Sequence, residues 1–152
     1  MKPRILVPYD FGPSSGKALA WSLDLQRTVG GPPVHVLHAV NPLPPLVSPE
    51  VVMTLSEQDF GEIERALKRA VEAIDPVATT ELMRSSSPGH AIVEVAARMK
   101  ADLIAMGTHG RTGLSRLVLG SVADYVARHA PCPVVMIRDA AVESPARVAG
   151  AM

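Results

Sequence analysis

The sequence predicts an α/β fold built on a parallel sheet. Two observations carry that prediction. Short apolar runs alternate with segments of helical period along most of the chain, and this alternation marks strands joined by crossover helices. The chain has 152 residues, the size of one domain with a real core. It shows no internal repeat and no second domain. Right-handed crossovers follow from the general rule for parallel strands.

The elements read in order as follows. Ile5 to Tyr9 is the first strand. The first helix is expected to start at Ser14 or Ser15, both good N-caps. Ala18, Trp21, Leu25 and Val29 recur at helical spacing, and Gly30-Gly31 stop the helix. Val34 to Val40 is the second strand. Asn41 to Pro49 holds four prolines and reads as a loop. Phe60, Ile63, Leu67, Val71 and Ile74 share one helical face. That helix is expected to end at Asp75-Pro76, because proline disfavours helical geometry in the residue before it. Val77 to Met83 is a weaker third strand. Ser87-Pro-Gly-His90 leads into a helix that runs to about Met99. Asp102 to Met106 is an apolar run of buried-strand character. Val122 to His129 is a helix, Pro131-Cys132-Pro133 ends it, and Val134 to Arg138 is the fifth strand. The domain is expected to span residues 1–140, with 141–152 an aperiodic, mobile tail.

Composition bounds the function. Hydrophobic residues make up 47%, with only one Trp, two Tyr and two Phe, so the core must be aliphatic. Fifteen basic residues balance fifteen acidic ones. That neutrality argues against nucleic acid or a membrane surface as partner, since both call for a basic excess. A single cysteine rules out an internal disulfide framework and suits a reducing compartment. No apolar stretch approaches the roughly 18 residues that span a bilayer. The expectation is a soluble, cytoplasmic protein.

The most informative stretch is Gly107-Thr-His-Gly110, followed by nine residues and then Gly120-Ser121. It lies between a strand and a helix. Glycines let backbone approach a ligand closely, and a helix N-terminus offers unpaired N–H groups to an anion. The spacing fits neither the P-loop G-x-x-x-x-G-K-[ST] nor the dinucleotide pattern G-x-G-x-x-G. Gly12-Pro-Ser-Ser-Gly16-Lys17-Ala18 is one residue too short for a P-loop, and Ala18 stands where a magnesium-binding hydroxyl belongs. Two readings of the Gly107–Ser121 loop stay open: a phosphate cradle, or a connection whose glycines serve turns, with the Ser121 hydroxyl as an N-cap. His109 and Arg111 are either contacts to the ligand or solvated. Asp10, at the end of the first strand, either accepts bonds from ribose hydroxyls and helps hold a hydrated Mg²⁺, or caps a turn. His35 and His38 fall on opposite sides of a strand and make a poor metal pair. His90, His129 and Cys132 read as structural or surface residues.

The pattern G-x2-G-x9-G-[ST] resembles the signature of the universal stress protein family, in its nucleotide-binding branch. Arg4-Ile-Leu-Val-Pro-Tyr-Asp10 is similar to that family's opening strand, and His35-Val-Leu-His-Ala-Val40 to its second. Leu103 to Leu114, Leu119-Gly-Ser-Val122 and His129-Ala-Pro-Cys-Pro-Val-Val135 match as well. The resemblance covers residues 3 to 138. It implies a single-domain, doubly wound, Rossmann-like sheet of five parallel strands in the order 3-2-1-4-5, with helices on both faces, of the adenine nucleotide alpha hydrolase kind. It places a triphosphate on Gly110, Gly120, Ser121 and Val122, with Gly107 near the ribose and α-phosphate. Pro8 and Val40 would flank adenine, and Met106 joins the binding set beside Gly107. The chain departs from the commoner Asp-Gly-Ser opening, having Asp10-Phe11-Gly12-Pro13-Ser14.

The resemblance implies a regulatory module that binds ATP, or AMP or ADP, with Mg²⁺ accompanying the nucleotide. The motifs show no lysine in the cradle, no water-positioning base and no acceptor-substrate domain, so an efficient enzyme is not expected. The rivals are a slow ATPase or autophosphorylating enzyme, with Ser121 or Thr112 as acceptor, and a nucleotide-free dimeric interaction module. A homodimer through strand 134–138 is expected, because Val134-Val-Met-Ile137 would be an apolar strand at the sheet's edge.

Overall fold

The computed structural model describes residues 1–43, 54–108 and 119–138. Five strands alternate with four helices: β1 (Ile5–Pro8), α1 (Pro13–Val29), β2 (His35–Val40), α2 (Glu57–Glu72), β3 (Thr79–Arg84), α3 (Pro88–Arg98), β4 (Leu103–Gly107), α4 (Ser121–His129) and β5 (Val134–Ile137). The strands form one parallel sheet in the order β3-β2-β1-β4-β5. The expected order is borne out.

Alternation along the strands splits the core in two. Ile5 and Val7 of β1, with Val36 and Ala105, pack against Ala18, Leu19 and Leu23 of α1 and Leu67 and Val71 of α2. Leu6, Leu37, Ile104 and Met106 point the other way, onto Ile92, Val95 and Ala96 of α3 and Ala123 and Val126 of α4. β1 and β4, covered on both faces, read as unbroken apolar runs in the sequence.

Several element details differ from the sequence expectation. Helix α1 starts at Pro13 with Gly12 as N-cap, because proline's fixed φ suits the first helical position. Ser14 and Ser15 are buried inside its first turn. The buried face of α1 is Ser14, Ser15, Ala18, Leu19, Ser22 and Leu23. Trp21 and Val29 lie instead on the exposed side, at 38% and 43% exposure. Ser22 can be buried because its hydroxyl donates to the Ala18 carbonyl at 2.7 Å. Helix α2 begins with a capping box in which Ser56 and Asp59 bond reciprocally. It ends at Glu72, three residues before Asp75. The N–H groups of Ile74 and Asp75 both turn back to the Val71 carbonyl, which leaves Ile74 45% exposed. Strand β3 starts at Thr79 rather than Val77, since the Val77 N–H is held by the Asp75 carboxylate in a tight turn. The loop expected over Asn41 to Pro49 is described only as far as Leu43, and the tail at 141–152 lies outside the described residues.

Candidate functional site

β1 and β4 are neighbours, paired through Ile5–Leu103 and Leu6–Ile104. The chain leaves β1 for β2 on one side and β4 for β5 on the other. The winding therefore reverses between them, and the crevice beyond their carboxyl ends is where open α/β sheets take ligands. Asp10 and Gly107 both stand at that end, as the sequence predicts.

The β1–α1 turn is built around Asp10. Its Oδ1 accepts from the Gly12 N–H at 2.9 Å and from the Ser15 hydroxyl at 2.7 Å. The Asp10 N–H donates to the Ser15 oxygen at 3.2 Å. So the capping reading of Asp10 is real, and it fixes the carboxylate at the mouth of the crevice. A Cβ at Gly12 would stand 2.8 Å from Asp10 Oδ1, so a larger residue there would displace that carboxylate from its present place.

Phe11 completes the turn, and nothing in the sequence pattern announced its role. Its φ is +63°, a left-handed conformation that costs a non-glycine residue about 1–2 kcal/mol. Its ring packs edge-on against Tyr9, with centroids 5.2 Å apart, and against His38 at 5.1 Å. Such pairs contribute about 0.5–1.5 kcal/mol each, enough to offset the strain. His38 donates from Nδ1 to the Tyr9 carbonyl at 2.7 Å, so β2 also grips this turn. Burial, and then the negative charge of Asp10, push the Tyr9 phenol above its ordinary range.

On the β4 side, Thr108 is buried and links three elements. Its N–H donates to the Ile137 carbonyl at 3.1 Å, and its own carbonyl accepts from the Gly120 N–H at 3.1 Å. Gly120 is thereby drawn over the end of β4 as the N-cap of α4. Gly120 brings no side chain to cap this helix start, and Ser121 is the first helical residue rather than the cap. The first N–H groups of α4, Ser121 and Val122 among them, have no intrahelical partner. Asp124 in the first turn is paired with Arg128 at 3.1 Å, which lessens its opposition to an anion there.

Gly107 has a packing reason that the motif did not reveal. A Cβ at this position would fall 2.5 Å from Ser14 Cβ and 2.9 Å from the Ser14 carbonyl carbon. Helix α1 crosses β4 so closely that only glycine fits. Met106 is buried in the core on the α3 and α4 side, so any ligand contact from it is a backbone contact. Val40 is buried, and its carbonyl accepts from the Ser85 N–H at 2.9 Å. Pro8 is half-buried beside Leu37 of β2. His109, Gly110, Arg111 and Thr112 lie outside the described residues. Among the described residues no cluster of three or more His, Cys, Asp or Glu side chains could hold a metal ion.

The histidines settle into structural places. His35 Nε2 donates to Glu81 at 2.9 Å, and Nδ1 meets the Thr79 hydroxyl at 2.8 Å. His129 stacks on Tyr125, and His90 is exposed. Burial, and then the nearby Asp102 carboxylate, raise the Cys132 thiol above its ordinary range, the reverse of what a nucleophilic thiolate needs.

The Universal stress protein family model matches residues 1–138. The chain belongs to the universal stress protein family. A universal stress protein of Methanocaldococcus jannaschii is 31% identical over 140 residues, covering 89% of this chain and 81% of its own length. Among solved structures, a universal stress protein in complex with cAMP superposes with a TM-score of 0.64 at 21% identity, covering 91% of this chain and 98% of its own. A family member from Arabidopsis thaliana with AMP bound gives a TM-score of 0.55 at 20% identity, covering 98% and 99%. At those identities the likeness is one of fold. This universal stress protein has no helix, among its described residues, long and apolar enough to cross a membrane.

Proposed function

We propose that this universal stress protein binds an adenine nucleotide in the crevice between β1 and β4 and works as a nucleotide-responsive regulatory module in the cytoplasm. The observation that carries the reading is the start of α4 at Gly120, a cap residue with no side chain, tied through Thr108 to the end of β4. N–H groups with no intrahelical partner and the positive helix end suit a phosphate there. Adenine would sit toward Pro8 and Val40, and the ribose toward Asp10 and Gly107. Gly110, Gly120, Ser121 and Val122 would hold the phosphates, with His109 and Arg111 beside them. The fold neighbours with cAMP and AMP support an adenine ligand. ATP is the ligand proposed, with Mg²⁺ held mainly by phosphates and water, as that ion prefers, and Asp10 as its one protein carboxylate.

Calorimetry with ATP, ADP and AMP tests this. Micromolar affinity, about −8 kcal/mol, is expected. No binding at millimolar ligand would sink the reading. Hydrolysis is expected to be slow, below about 1 per minute, against roughly 10 per second for an ordinary enzyme. Ordinary turnover would make the protein an enzyme instead.

The same reading includes a homodimer through β5. The Ile104 N–H bonds Pro133, and the Thr108 N–H bonds Ile137. Backbone groups of the odd-numbered residues therefore face β4. Those of Val134 and Met136 face the open edge, where pairing with a second copy would satisfy them. Met136→Pro should give monomers in light scattering, while the wild type should be a dimer burying more than about 1,000 Å². Val135→Pro would instead break the ladder to β4. A Met136→Pro protein that stays dimeric would place the interface elsewhere.

A further inference from the structure

We infer that Phe11 is a positioning residue for Asp10, a latch that presets the β1–α1 turn for the nucleotide. The inference rests on the nucleotide reading and goes beyond it, since Phe11 takes a backbone conformation that favours glycine. Phe11 holds φ +63°, which glycine would adopt without strain. A bulky ring there needs a reason, and the ring's surroundings supply one. It is wedged between Tyr9 and His38, and His38 also bonds the Tyr9 carbonyl. β2, the end of β1 and the turn are thus locked together around one ring. What the lock fixes is the peptide that carries Asp10 and the Gly12 N–H that its carboxylate accepts. The side chain that would meet the ribose is therefore ordered before ligand arrives. A preformed site spares the ordering cost of binding. Phe11 packs with the core on the α1 and α2 side, so it acts through Asp10 rather than on the ligand.

The test is a double-mutant cycle read by ATP affinity. Phe11→Gly should weaken ATP binding about tenfold, and Phe11→Tyr, which keeps the ring, should restore it. Phe11→Leu keeps apolar bulk without the ring contacts and should fall with glycine. In an Asp10→Ala background, Phe11→Gly should change affinity by less than about twofold. An effect there as large as in wild type would mean that Phe11 acts independently of Asp10 and would overturn the inference. So would wild-type affinity in Phe11→Gly. A second readout needs no ligand. Hydrogen exchange at the Gly12 amide should quicken at least about tenfold in Phe11→Gly and Phe11→Leu, but not in Phe11→Tyr. Unchanged exchange would refute the latch. Absence of ATP binding by the wild type would refute the nucleotide reading, and the exchange result would still decide whether Phe11 orders the turn.

Discussion

Gly107→Val should destabilise the protein before any ligand is added. The glycine's missing Cβ leaves the space that α1 occupies. A side chain would stand 2.5 Å from Ser14 Cβ, 2.9 Å from the Ser14 carbonyl carbon and 3.1 Å from the Ser15 nitrogen. Two of those atoms are backbone, so relief requires moving α1 and not merely turning a rotamer. α1 cannot move freely. Ser15 is bonded to Asp10 and Gly12, and Ala18 and Leu19 are fully buried in the core. Overpacking of this kind costs about 1–3 kcal/mol for modest insertions and more when backbone must shift. Against a total stability of about 5–15 kcal/mol, valine should lower the melting temperature by about 5–15 °C, and alanine by rather less. Thermal melts of the ligand-free variants check this. A Gly107→Ala protein with wild-type melting would mean that α1 is not so tightly seated. If it had also lost ATP, Gly107 would be a ligand residue first.

How much of this was legible depends on what each residue's signal is. The central strands β1 and β4 are readable because both faces are covered and their apolar runs are unbroken, whereas β3, Thr-Thr-Glu-Leu-Met-Arg, is only partly buried and reads more weakly. The strand order came from the family resemblance, since alternation alone fixes no order. The buried face of α1 departs from its apolar period because three of its buried residues are serines. The hydroxyls of Ser15 and Ser22 are satisfied within the turn or one helical turn back, and a hydrophobic period does not register buried serines. Trp21 falls in register with Ala18 and Leu25, yet it lies on the exposed side of the helix. The end of α2 was set by the Val71 carbonyl taking two N–H groups, a local choice that outweighs the apolar period at Ile74. At the site, the glycines were legible but their causes were not. Gly107 makes room for a helix, Gly12 for a carboxylate, and Phe11 takes a conformation that only its distant neighbours on β2 explain. The Ser56–Asp59 cap does have a signal in the sequence, Ser-Glu-Gln-Asp before an apolar run.

Gly120→Val should remove nucleotide binding while leaving the fold nearly intact, the reverse of the pattern at Gly107. The backbone at Gly120 has φ −59° and ψ 154°, which any residue adopts, so no strain protects this position. Among the described residues a Cβ there would meet the Thr108 carbonyl oxygen alone, at 3.3 Å, and a few tenths of an ångström relieve that contact. Stability should therefore fall by less than about 1 kcal/mol, as for most substitutions outside a packed core. The ligand would not be spared. Gly120 is the N-cap of α4, so its side chain would project where phosphate oxygens approach the first N–H groups of the helix. Branching at Cβ makes valine the stiffest obstacle of its size. Several charge-assisted bonds would be lost together, each stronger than a neutral one. A loss of at least about 100-fold in ATP affinity is expected, about 2.7 kcal/mol. Gly120→Ala should lie between. Calorimetry and thermal melts on the same preparations separate the two effects. Wild-type ATP affinity in Gly120→Val would move the phosphates away from α4, and with them the nucleotide away from this crevice.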